Sequence, residues 1–377
     1  MPLNKRLFKN LDYILIIDII VILGLSLLVL SSATANITSD PLYFVKKHLI
    51  SITLGIACAV FILFFDYAKV VRYNNYIYVL LIILLILVEI KGITSHGAQQ
   101  WIAIGPFNFQ PSEFGKIMMI VCFASYLVKR QGELKTFKDL IPSFLYFSVP
   151  FLLIVAQPDL GTALVFIVIL FGMLFLAGAN PKLLAGIFFT AAAVVTLALV
   201  LHFSPLNFPL PLEEHQLNRL IAFVDPYKDP HGAGWNIIQS LVAIGSGGLL
   251  GKGLYHGTQV QLNFLPEHHT DFIFSVVGEE LGFVGAAFLL LLYYILIART
   301  IRTAFRSRDL LGRLLVGGIF CMWLFHIFEN IGMTIGVMPI TGIPLPFMSH
   351  GGTAMVTNLI GVGIILNVQL RREKMLF

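Results

Sequence analysis

Apolar runs of roughly twenty residues recur along the whole chain, divided by short polar breaks. About ten can be delimited: 13–33, 45–65, 73–93, 113–130, 138–156, 160–179, 182–202, 271–298, 313–336 and 350–370. A helix needs about 20 apolar residues to cross a hydrocarbon core about 30 Å thick. Backbone groups inside lipid must be satisfied within the span, which makes each run a helix. The fifth and sixth runs are separated only by QPDLGT, where Pro158 and Gly161 interrupt the helical pattern. The pattern predicts an all-α integral membrane protein of about ten transmembrane helices.

Composition agrees. Of 377 residues, 58% are hydrophobic and 12% charged, whereas soluble domains are near half apolar and a quarter charged. Cys58, Cys122 and Cys321 are far apart and lie within apolar runs, so neither a disulfide framework nor a zinc site is indicated. The net charge of +5 does not point to nucleic acid. Its distribution matters more. With the N-terminus in the cytoplasm, most of the 25 Lys and Arg residues fall on the inner side, among them Lys5, Arg6, Lys9, Lys129, Arg302, Arg306 and Lys374. The positive-inside rule therefore predicts that both termini are cytoplasmic. Lys5, Arg6 and Lys9 before an apolar run that ends at ATA (33–35) resemble a signal peptide, but the run is longer than a signal core and more spans follow, so an uncleaved first span is expected.

Three connections are rich in polar or turn-forming residues, and this orientation places them all outside: 94–112, 337–349 and a large loop, 203–270, between spans seven and eight. Long connections in compact proteins are usually functional. No internal repeat or low-complexity segment is evident, and one membrane domain, 1–377, accounts for the chain. Within the large loop, WNIIQSLVAIGSGGLLGKGL reads either as an interfacial or re-entrant helix or as a plain surface helix.

Several polar groups in this apolar chain are candidates for chemistry. GSGGLLGKG resembles a phosphate loop but has Ser246 where the first glycine belongs and Gly253 where Ser or Thr belongs. It is either a flexible turn or a backbone cradle that brings Lys252 to an anion. QPSEFGK sets Glu113 and Lys116 three apart on one helix face, as a structural ion pair or a site pair. Asp159 of QPDLG reads as a helix cap. Glu279, Glu280, Glu329 and Asn330 lie inside spans and must face protein or water, with interhelical hydrogen bonding the simplest role. FLPEHHTDFIFSVVGEELG is the densest case. Asp271 begins span eight as a cap in the first helical turn or as a functional carboxylate at membrane depth. Adjacent His268 and His269 cannot share a helix face, which argues against a metal cluster.

Taken in order, GAQQWI…FQPSEFGK, QPDLGTA, RLIAFVDPYKDPHGAGWNIIQSLVAIGSGGLLGKGL, FLPEHHTDFIFSVVGEELG and PLPFMSHGGT resemble the SEDS family of bacterial cell-wall proteins, over nearly the whole chain and most like its elongation branch. The resemblance implies a peptidoglycan glycosyltransferase that polymerises lipid II into glycan strands at the outer face of the plasma membrane, working with a class B penicillin-binding protein. It places the family's essential acidic residue on Asp271, as general base, and its Glu–Lys pair on Glu113 and Lys116. The substrate contacts expected from these motifs are Glu113, Lys116, Arg219, Gln239, Lys252, His269 and Ser349. No protein metal site is expected, and a divalent cation (Mg2+ or Mn2+) is left open as a cofactor. The chain departs from the family pattern at Gln100, where many relatives carry a basic residue, and at His350 and Thr353, where Tyr and Ser are usual. Two other readings compete: a lipid II flippase and a non-catalytic scaffold for the penicillin-binding protein.

Overall fold

The computed structural model describes residues 11–95, 98–104, 107–206, 208–210, 213–230 and 232–372. The basic residues Lys5, Arg6, Lys9 and Lys374 lie outside these. In chain order the elements are α1 (Tyr13–Ala33), α2 (Tyr43–Leu63), α3 (Tyr67–Val70), α4 (Asn74–Lys91), β1 (Ile93–Ser95), β2 (Ala98–Ile104), β3 (Phe107–Phe109), α5 (Pro111–Lys129), α6 (Phe137–Ala156), α7 (Leu160–Leu176), α8 (Pro181–Phe203), α9 (Glu214–Val224), α10 (Ala233–Ser246), α11 (Thr258–Gln261), α12 (Ile273–Phe305), α13 (Leu310–Thr334) and α14 (Gly352–Leu370).

Every apolar run forms a helix close to its expected limits. Among the described residues, nine helical spans are long and apolar enough to cross a membrane, one of them running from Tyr67 through α4. The remaining run, 160–179, forms α7 with 17 residues, the lower end of the range for a span. Burial separates the helices by position. Of the most apolar stretch of each, 94% is buried in α14 and 6% in α8, so α14 is central and α8 peripheral. Small residues let α14 approach α2: a Cβ on Gly363 would sit 2.8 Å from Ala59 Cα, and one on Gly55 would sit 2.5 Å from Leu359 Cδ1. Close approach of this kind supplies the van der Waals packing that holds helices together in lipid.

Two regions go beyond the sequence pattern. The 94–112 connection contains a three-stranded antiparallel sheet, with Ile93 opposite Trp101 and Ile102 opposite Phe109. Its strands are three to seven residues long, too short for alternation to announce them. The large loop folds into α9, α10 and α11. One face of α10, carrying Gly234, Ile237, Ser240 and Ala243, is buried. Ser240 Oγ lies 2.6 Å from Ser275 Oγ and donates to the Thr334 carbonyl at 2.7 Å. The segment is thus a helix docked on α12 and α13.

The glycine-rich turn after α10 has a structural task. Helix α12 is broken at Gly282, which takes φ +65°, a left-handed conformation costly for any residue with a Cβ. Phe283 and Val284 N–H donate instead to the Gly248 and Leu249 carbonyls at 2.9 and 3.1 Å. Lys252 and Gly253 N–H donate to the Glu279 and Glu280 carbonyls at 3.0 and 2.9 Å. The turn thereby satisfies backbone groups that the break would leave bare. A Cβ on Gly282 would collide with the Gly251 nitrogen, so both strands of this contact need glycine.

Candidate active site

A cleft of about 790 Å³ opens at the end of the bundle where α12 begins. Its walls come from the strand β2, the starts of α5 and α7, the helix α9, the turn before α12, and the 340–351 segment. Asp271, Arg219, Glu113, Lys116, Asp159 and His350 all line it. They span 238 positions of sequence between Glu113 and His350, and only folding brings them together.

Asp271 is placed by its backbone. Glu267, at φ +52°, turns the chain so that the Thr270, Asp271 and Phe272 N–H groups all donate to its carbonyl. Asn330 Nδ2, from inside α13, donates to the Asp271 carbonyl and to that of Ile343, both at 2.8 Å. Ser349 Oγ donates to the Thr270 carbonyl at 2.6 Å and accepts from Leu345 N–H at 2.8 Å, while His350 N–H donates to the His269 carbonyl at 3.0 Å. The turn carrying Asp271 is therefore pinned to α13 and to the 340–351 segment. The helix begins only at Ile273, with Phe272 at the cap position and no side-chain cap bond, so Asp271 stands ahead of the first turn expected to contain it.

Gly342 is where charge converges. It has φ +77°, and a Cβ built on it would lie 3.3 Å from Asp271 Oδ2 and 3.7 Å from Arg219 Nη1. Arg219 is aimed by its Nη1 donating to the Thr341 carbonyl at 3.2 Å. Its helix, α9, is set by a capping box between Glu213 and Gln216, and Gln216 Nε2 also donates to the Pro158 carbonyl at 3.1 Å. His215, Asn218 and Arg219 are spaced three and four apart, which puts them on one helical face toward the cleft.

Glu113 and Lys116 form a buried ion pair at 2.7 Å, with side chains 6% and 2% exposed. Lys116 Nζ also lies 3.0 Å from His326 Nε2. His326 Nδ1 is 2.6 Å from the Met322 carbonyl. A carbonyl only accepts, so Nδ1 carries the proton and Nε2 accepts from the ammonium. His326 supports the pair from behind the cleft lining, and sequence reasoning did not reach it, because a lone His in an apolar run carries no spacing signal. Asp159 caps α7 through Thr162 N–H at 2.9 Å, with Gln110 Nε2 at 3.5 Å. Burial pushes its carboxyl above the usual range.

Other expected contacts lie elsewhere. Lys252 donates to Glu279 at 2.6 Å and to Thr258 at 2.8 Å, which neutralises a carboxylate buried in α12, and it does not line the cleft. Gln239 on α10 is half-buried and also outside it. Ser349 acts through the backbone bonds above. His269 packs against Phe44 and His350, with ring centroids 4.9 and 6.1 Å away. Both His268 nitrogens face backbone carbonyls, of Leu265 at 2.6 Å and Ala33 at 2.8 Å. Among the described residues no group of three or more His, Cys, Asp or Glu side chains is placed to hold a metal ion. At two of the three departures from the family pattern, Thr353 Oγ1 accepts from Gln110 N–H and donates to the Asn108 carbonyl, and Gln100 Oε1 accepts from Gln110 Nε2 at 3.0 Å.

The buried imidazoles give this end of the bundle a pH dependence. Burial pushes His269 down to about 4 and His350 to about 3, the latter helped by His48, His269 and Lys47. In the unfolded chain both titrate near the ordinary value of about 6.5. Between those limits the unfolded chain binds more protons, so stability holds above about pH 6.5 and falls as pH drops toward 4. The melting temperature of the detergent-solubilised protein is expected to decline over that window, and less steeply in His350→Phe. An equal decline in both proteins would remove His350 from the account.

A family profile described as "Cell cycle protein", covering FtsW, RodA and SpoVE, matches residues 10–374. The chain is 37% identical over 373 residues to peptidoglycan glycosyltransferase MrdB of Escherichia coli K12, covering 98% of this chain and 97% of the relative. It is 36% identical to stage V sporulation protein E of Bacillus subtilis, covering 95% and 96%. Its fold matches a chain of a solved peptidoglycan synthase complex that coordinates polymerization and crosslinking, with TM-score 0.79, 31% identity and coverage of 97% and 99%. Thermus thermophilus RodA superposes with TM-score 0.71 at 29% identity, covering 97% and 98%. Coverage of both partners is nearly complete in each case, and the chain therefore belongs to the FtsW/RodA/SpoVE family, the SEDS family that its ordered motifs resemble.

Proposed function

We propose that this membrane enzyme is a peptidoglycan glycosyltransferase of the elongation type, which polymerises lipid II at the outer face of the plasma membrane with Asp271 as general base. The observation that carries this reading is the convergence of the Asp271 carboxylate and the Arg219 guanidinium on Gly342, in a cleft that also holds the Glu113–Lys116 pair. The acceptor sugar hydroxyl is a poor nucleophile and needs a base within hydrogen-bond reach. Asp271 takes its proton as the hydroxyl oxygen bonds to the donor's anomeric carbon. The bond from that carbon to the lipid pyrophosphate breaks with inversion, and the electron pair leaves with the pyrophosphate. Pyrophosphate is already a good leaving group, so the second carboxylic acid of an inverting glycosidase is dispensable. Arg219 and Lys116 supply the positive charge that stabilises it. Lys252 is not assigned this role because it does not line the cleft, and no step passes through a metal.

The basic end of the bundle faces the cytoplasm in this reading, with both termini inside. The partner is a class B penicillin-binding protein, in keeping with the synthase complex whose chain this fold matches. The test uses purified protein with that partner and fluorescent lipid II. Glycan strands from the wild type and none from Asp271→Asn support the assignment. Lipid II transfer across vesicles without strand formation would establish a flippase instead.

Gly342→Ala probes the convergence point. The left-handed φ costs an alanine about 1–2 kcal/mol, and the methyl would crowd the Asp271 carboxylate at 3.3 Å while only touching the Arg219 guanidinium at 3.7 Å. A displacement of this kind lowers turnover by about 10²-fold, with a much smaller change in melting temperature. Loss of stability alone, with turnover per folded molecule unchanged, would mean that Gly342 serves only the turn.

A further inference from the structure

The opposite end of α12 carries a second cavity, of about 260 Å³, between the start of α1 and the ends of α12 and α14. Among the described residues, four arginines line it, Arg299, Arg302, Arg306 and Arg372, and one acid, Asp12. Asp12 is committed to Arg299 at 2.6 Å. Arg302 and Arg306 make no ion pair or side-chain hydrogen bond to a described residue. They lie four apart and follow Arg299 by three and seven, so one helical face presents three guanidiniums, a spacing that repels like charges. The floor is already satisfied: Gln369 Oε1 accepts from Asp12 N–H at 3.2 Å, and Gln369 Nε2 donates to Thr303 Oγ1 at 2.7 Å. This network fixes α1, α12 and α14 around the cavity and does not engage the side chains of Arg302 and Arg306. Tyr13, 60% exposed, stands at the rim, as tyrosines do at a membrane interface.

We infer that this cavity binds the phosphate headgroup of an anionic phospholipid from the leaflet at the basic end of the bundle. Guanidiniums pair phosphate oxygens in a bidentate way, and basic pockets between spans on the cytoplasmic side take anionic headgroups. The inference concerns a site remote from the cleft, and its readout is binding, so it stands or falls independently of the polymerase assignment.

Full-length protein in neutral detergent is mixed with cardiolipin, phosphatidylglycerol or phosphatidylcholine, and bound lipid is counted by native mass spectrometry. The wild type retains cardiolipin and phosphatidylglycerol and releases phosphatidylcholine. Arg302→Gln with Arg306→Gln weakens the anionic lipids about thirty-fold, from about five- to sixfold for each of the two charges removed. Lys129→Gln with Lys182→Gln, which removes two exposed charges from the same end, leaves binding within about twofold. Melting curves confirm that all three proteins are folded. Arg302→Lys with Arg306→Lys keeps the charge and retains most of the affinity, which separates recognition from folding. Equal retention by wild type and the glutamine variant would overturn the site. So would displacement of the lipid by an equal concentration of inorganic phosphate, which would reassign the cavity to a soluble anion.

Discussion

Asp271→Asn is expected to lower glycan polymerisation by about 10²–10⁴-fold, the range that a positioned general base contributes. The substitution is close to isosteric and removes the carboxylate's negative charge together with its basicity. The contacts that hold the turn are made by backbone: the Asp271 carbonyl receives Asn330, and the Asp271 N–H reaches Glu267. Neither depends on the side chain's charge. The variant should therefore fold, bind its partner and melt near the wild-type temperature while its turnover collapses. Turnover of fluorescent lipid II by folded, partner-bound protein is the measurement. Equal turnover would reduce Asp271 to an electrostatic aid at the start of α12, worth a fraction of a kcal/mol to about 1 kcal/mol.

Lys116→Met is expected to be the most destabilising single change in the cleft, at about 3–5 kcal/mol, the cost of leaving one member of a buried ion pair without the other. Glu113 would lose its cation, and His326 Nε2 would lose the donor 3.0 Å away. Stability alone does not establish a role in the reaction, so the informative protein is the double variant Glu113→Gln, Lys116→Met. Removing both charges restores much of the stability, and chemical denaturation measures how much. If the double variant is stable but inactive, Lys116 contributes to stabilising the leaving pyrophosphate. If it regains turnover, the pair is architectural and Arg219 carries that charge alone.

The two predictions rest on different kinds of information. That Asp271 and the Glu113–Lys116 pair matter was legible in the sequence, because ionisable residues are costly in apolar runs and these fall within a specific ordered set of motifs. That Lys116 also engages His326, and that Gly342 is the point where Asp271 and Arg219 meet, was not. These contacts join residues from about 70 to over 200 positions apart, and no local period records such a pairing. Lys252 shows the limit in the other direction. It sits in a glycine-rich stretch that suggested an anion cradle, yet the glycines permit the turn's backbone to mend the break at Gly282, and Glu279 holds the lysine.

By itself the sequence determined the membrane class, the helices and their approximate limits, and the family. Span length and hydropathy are local properties fixed by bilayer thickness and by the need to satisfy backbone groups within each segment. The tertiary structure alone decided which polar residues share a cleft, which charges are spent on neighbouring spans, and that the arginines at the far end of α12 face a cavity with a single acid among its described lining residues. These are properties of packing between distant segments, where a side chain's role depends on whichever helix the fold sets beside it.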